Sequence, residues 1–60
     1  MKYTKQEIKL IHTIKLHLEE GNHQSVKNLC SAFIRSAPND KSLERRQYAT
    51  LEILNSLAEV

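Results

Sequence analysis

A single glycine and a single proline, Gly21 and Pro38, punctuate this chain of 60 residues and divide it into three segments of comparable length. Each segment repeats apolar residues at spacings of three and four, so each predicts an amphipathic helix. No run alternates apolar and polar residues, and no hairpin dipeptide occurs, so strands have no support. The middle segment, NHQSVKNLCSAFIRSA, carries the only phenylalanine. Its face of Val26, Leu29, Cys30, Phe33 and Ala37 is the expected floor for the other two helices.

Local chemistry sets the helix ends. Thr4 and Glu7 fit a capping box, in which each side chain satisfies the other residue's free backbone N–H; Tyr3 and Ile8 stand where a hydrophobic staple places its partners. Helix 1 is therefore expected over about 5–20, with Ile8, Leu10, Ile11, Ile14 and Leu18 on one side and Leu16 nearly opposite. Gly21 supplies the left-handed residue that commonly ends a helix. Asn22 is a good N-cap for helix 2 over about 23–36, which Pro38 cannot continue and whose stop it draws back before Ala37. Asn39 or Asp40 caps helix 3 over about 40–58. That helix is expected to bury Leu43, Tyr48, Leu51, Leu54, Leu57 and Ala58, with Ile53 off to one side. Two short connections make the simplest fold an all-α, up-down-up three-helix bundle, one helical domain over 1–60.

A chain this short buries only about 60% of the surface its unfolded form exposes. One cysteine allows no internal disulfide. Extra stability must then come from good helix formers, from a partner or from self-association, so a homodimer that completes the bundle is expected. The lone cysteine and the charged opening MKYTKQEIKL, which has no apolar leader, give a cytoplasmic expectation. No stretch approaches the roughly 18–20 apolar residues of a membrane span.

Catalytic and metal chemistry find little footing in these residues. His12 and His17 are five apart, which sets them on different sides of a helix, and His23 falls in a turn with no ligand partner at a recognised spacing. Cys30 lies on the apolar face of helix 2 and reads as a small buried side chain with an unreactive thiol. Glu19 and Glu20 diverge as helix neighbours and read as solvated. A phosphate loop needs more than one glycine. No catalytic residue, metal ligand or cofactor site is expected, and the chain reads as non-enzymatic.

The segment EEGNHQSVKNLCSAFIRSAPND resembles the second half of a tetratricopeptide repeat in the separation of Gly21 in an inter-helix turn from Pro38 after the second helix. Where that repeat carries small residues on its facing helices, this chain has Ile14, Val26 and Phe33, and no second repeat follows. The resemblance is therefore one of capping geometry. A helix-turn-helix motif centred on Gly21 fares no better, because it puts His17 at a small-residue position and Glu20 and Asn22 at apolar ones.

Charge is the more telling pattern. In an up-down-up bundle one pole gathers Lys2, Lys5, Lys9, Arg35, Lys41, Arg45 and Arg46 against Glu7, Asp40 and Glu44, a formal +4. The other holds Lys15 and Lys27 against Glu19, Glu20, Glu52 and Glu59, a formal −2. Bases at the starts of helices 1 and 3 oppose the helix macrodipole, which favours acids there. The expected role is that of a compact adaptor, inhibitor or regulator of bacterial or phage type, docking on another protein with an acidic surface. Lys5, Lys9, Arg45 and Arg46 form the expected charged rim, and the off-face residues Leu16, Ile34 and Ile53 its apolar part. The alternative is a small nucleic-acid-binding regulator that uses the basic pole.

Overall fold

The computed structural model describes residues 2–58. These form three α-helices: α1 Lys5–Glu19, α2 His23–Arg35 and α3 Asp40–Ala58. Among the described residues there is no strand.

The ends follow the local chemistry. The Glu7 N–H donates to Thr4 Oγ1 (3.1 Å) and the Thr4 N–H to Glu7 Oε1 (2.9 Å), closing the capping box. After α1, Gly21 takes φ +80°, the left-handed region that any side chain would strain. The Gly21 N–H donates to the Leu18 carbonyl and the Asn22 N–H to that of His17, so two otherwise unpaired carbonyls are satisfied by a Schellman turn. Asn22 stands at the N-cap position of α2 but makes no side-chain capping bond; its amide lies 3.5 Å from His17 Nδ1 instead. At α3 the cap is Asn39, whose Oδ1 accepts from the Ser42 N–H at 2.8 Å.

Contacts between helix ends fix the topology. Glu7, early in α1, bonds Ser42, Arg45 and Arg46, early in α3. Lys15, Leu18 and Glu19, late in α1, border one depression with Glu52, Ile53 and Ser56, late in α3. These two helices therefore run parallel. His23 and Lys27, early in α2, border one depression with Leu54, Leu57 and Ala58 at the end of α3, so α2 runs antiparallel to it. The result is the up-down-up bundle, 31 × 19 × 18 Å.

Ile14, Val26, Cys30, Phe33, Ala49 and Ile53 form the core, with Tyr3, Ile11, Leu18, Leu29 and Leu57 packed against it. The floor is the one the central segment predicts. The setting of α3 is not. Its buried residues are Ser42, Arg46, Ala49, Thr50 and Ile53, while Tyr48, Leu51 and Leu54 are exposed. At 100° per residue, the expected leucine face and the observed buried face differ by roughly a third of a turn. Ile53, expected off to one side, is only 3% exposed at the centre of the core. On α1, Ile14 is buried as expected and Ile11 and Leu18 partly so, whereas Ile8 and Leu10 flank the buried stripe and remain exposed.

Candidate interaction surface

The rotation of α3 has its cause at the pole where the helices begin and end together. The capping box holds Glu7 at the third position of α1, where its carboxylate turns inward and is 1% exposed. An ionised carboxylate in that position needs donors from every side. Ser42 Oγ donates to Oε2 at 2.7 Å, Arg45 Nε to Oε1 at 3.1 Å and Arg46 Nε to Oε2 at 3.3 Å. Arg46, itself 6% exposed, then reaches α2: its Nη1 donates to the Phe33 carbonyl (2.8 Å) and Ser36 Oγ (2.9 Å), and its guanidinium lies 4.6 Å from the Phe33 ring centroid. One carboxylate and one guanidinium thus tie all three helices together. Turning α3 to bury its leucines would carry Ser42, Arg45 and Arg46 away from Glu7 and strand a buried charge.

Burial pushes the Glu7 carboxyl's pKa up. The Thr4 N–H, Arg45, Ser42 and Arg46 outweigh that effect and hold it at about 2, below its ordinary 4.5. Among the described residues no buried side-chain polar atom lacks a partner. The node's hydrogen bonds are therefore satisfied internally, while two guanidiniums against one carboxylate leave it a net +1.

This divides the residues expected to meet a partner. Lys5, Lys9 and Leu16 are exposed, and their spacing sets them, with His12, along one outer stripe of α1. Ile34 is partly buried and borders a shallow depression with Asn28, Ser31 and Arg35 on α2. Arg45 and Arg46 are not a solvent-facing rim: the Arg45 side chain is 21% exposed against Glu7, and Arg46 is buried. Ile53 belongs to the core. The structure thus brings together three of the seven on α1, leaves Ile34 apart on α2, and commits the remaining three to the interior. Solvent-facing cations at the shared pole are Lys2, Lys5, Lys9, Arg35 and Lys41, beside the exposed acids Asp40 and Glu44. Glu59, counted above at the acidic pole, lies outside the described residues.

A second surface was missed by periodicity because it was assigned to the core. Tyr48 is 54% exposed, Leu51 56% and Leu54 38%, all within seven residues of α3. Glu44 and Gln47 border the same face. The signal was present as a doubled pattern: Ser42, Arg46, Ala49 and Ile53 are spaced four, three, four, and so are Gln47, Leu51, Leu54 and Ala58. α3 carries two helical seams, and the more apolar one faces outward.

Elsewhere, burial raises the pKa of the Cys30 thiol. No three His, Cys, Asp or Glu side chains converge as metal ligands among the described residues, and no helix there is long and apolar enough to cross a membrane. Compared with protein families, with curated proteins and with solved structures, the chain matches none.

Proposed function

We propose that this chain works without catalysis, as a small helical adaptor or inhibitor that acts by docking on another protein. One observation carries the reading: the interior holds Glu7, Ser42, Arg46 and Thr50, while Ile8, Leu10, Leu16, Tyr48, Leu51 and Leu54 stand exposed. Single exposed apolar residues are ordinary, but several large ones on a chain of 60 residues mark contact surfaces. For the partner protein the contact is the outer stripe of α1. Lys5 and Lys9 supply positive charge, Leu16 an apolar anchor and Ile8 apolar surface alongside, suited to an acidic protein surface. Complementary charge there steers encounter and sets orientation, and the buried apolar side chain prolongs the complex.

The test is affinity capture from the native host, with mass spectrometry of bound protein and of bound nucleic acid. Enrichment of a discrete protein by the wild-type chain, lost in the Leu16→Glu and Lys5→Glu/Lys9→Glu variants with helicity retained, supports this reading. Capture unchanged by those variants removes the α1 stripe from it.

The exposed cations Lys2, Lys5, Lys9, Arg35 and Lys41 at one pole favour a second reading, a nucleic-acid-binding regulator. It requires affinity for DNA or RNA that falls steeply as salt is added. Absence of binding at low salt disposes of it.

A further inference from the structure

The outer seam of α3 is a separate surface from the α1 stripe, and its geometry names its own occupant. We infer that it pairs with the same seam of a second copy, the two α3 helices lying antiparallel across a two-fold axis near Leu51. The inference rests on reading the exposed apolar side chains as contact surfaces and assigns one of those surfaces to self-association.

Three observations point to a second copy. The first is position. Leu51 stands close to the middle of α3, so a two-fold axis there overlaps the two helices over about 15 residues, or about 22 Å. That crossing sets Leu51 against its own symmetry mate, Tyr48 over Leu54 of the second copy, and Gln47 beside Asn55. An isologous contact must be self-complementary in this way. Apolar residues meet apolar residues at the centre, and two amides that can hydrogen-bond to each other flank them.

The second is charge. The bundle is polarised along its length. Among the described residues, exposed Lys2, Lys5, Lys9, Arg35 and Lys41 against Asp40 and Glu44 leave a net +3 at one pole, and Glu19, Glu20 and Glu52 against Lys15 and Lys27 leave a net −1 toward the other. Antiparallel pairing brings the basic pole of each copy toward the acidic end of the other, twice over. A parallel arrangement would set like poles together. The opposed macrodipoles of two antiparallel α3 helices act in the same sense.

The third is area. The chain exposes 4542 Å², whereas a compact monomer of its mass exposes about 4,000 Å². The excess of about 500 Å² is surface that a self-sufficient monomer of this mass ordinarily covers.

Sedimentation equilibrium of the full chain from micromolar to millimolar concentration tests the pairing. The expected mass rises from 7.0 kDa toward twice that value, and the apparent dissociation constant increases several-fold from low to high salt. Leu51→Glu and Tyr48→Lys each hold the mass at 7.0 kDa with the circular dichroism of wild type. A wild-type chain that stays monomeric at the highest concentration overturns the inference, as does a Leu51→Glu variant that still doubles its mass. Orientation is read by oxidation. Chains carrying Gln47→Cys mixed with chains carrying Asn55→Cys form the mixed disulfide, identified by mass spectrometry. Disulfides of Gln47→Cys with itself would report a parallel pair and overturn the arrangement.

These results separate from those on partner docking. Leu51→Glu should lose the dimer and keep capture through α1, whereas Leu16→Glu should lose capture and keep the dimer.

Discussion

The two faces of α3 differ in a direction opposite to the usual one. Its inner face presents Ser42, Arg46, Ala49, Thr50 and Ile53 to the bundle, and its outer face presents Tyr48, Leu51 and Leu54 to solvent. Burying the leucines would gain apolar area at about 25 cal/mol per Å². It would also leave the buried Glu7 carboxylate with only the Thr4 N–H as donor, and breaking a buried ion pair in that way costs about 3–5 kcal/mol. The apolar gain must be set against that loss, and the observed rotation forgoes the leucines to keep the ion pairs. Ala49 and Ile53 still enter the core, while Ser42, Arg45 and Arg46 reach the carboxylate. The comparison teaches that a buried charge with specific partners can set the rotation of a helix whose hydrophobic pattern permits two.

The contrast can be broken most severely at Glu7. Glu7→Gln keeps an acceptor for the Thr4 N–H and so preserves the cap, but removes the charge that faces Arg45 and Arg46. A loss of about 3–5 kcal/mol is expected, comparable to the whole stability of a domain this size. Urea unfolding followed by circular dichroism reads it. The double variant Glu7→Gln/Arg46→Met should recover part of that loss: it keeps the acceptor for the Thr4 N–H and removes the buried guanidinium, while the partly exposed Arg45 can turn to solvent.

Ile53→Ala comes next, since it truncates the one large apolar side chain that the inner seam puts in the core. The expected cost is about 2–5 kcal/mol by the same measurement. A loss below about 0.5 kcal/mol would mean that Ile53 is not buried and that α3 is turned the other way.

Acid gives a smaller and more graded effect. The Glu7 carboxyl titrates lower in the folded chain than in the unfolded one, so its contribution to stability is fully present above pH 4.5 and is lost as the pH falls toward about 2. Stability measured between those limits should decline in the wild-type chain, and Glu7→Gln should remove that part of the decline.

The smallest effect on folding belongs to the outer face. In dilute solution Leu51→Glu should alter monomer stability by no more than about 0.5 kcal/mol. A loss of several kcal/mol would show that the outer seam packs within the bundle, and the contrast between the two faces would disappear.

Much of this molecule is legible one segment at a time. The Thr4/Glu7 box, the left-handed Gly21 and the break at Pro38 act through neighbouring backbone, so the three helices and their ends could be read directly. So could the floor of Val26, Cys30 and Phe33, because α2 has one dominant apolar face. The candidate surface was less legible. Lys5, Lys9 and Leu16 were expected on the outside from the helical projection, and they are exposed. Arg45, Arg46 and Ile53 were misassigned because nothing local distinguishes a solvent-facing arginine from one that neutralises a carboxylate 38 or 39 positions earlier. Glu7 was visible as a cap, but its second task became apparent only with α3 beside it.

Sequence alone determined that this chain makes three helices, where they stop, and that two short turns fold them up, down and up, since caps, turns and periodicity are short-range effects. Only the tertiary structure decided which seam of α3 faces inward. Two seams of equal spacing run along that helix, and the choice between them is made by the donors that a buried carboxylate on α1 requires.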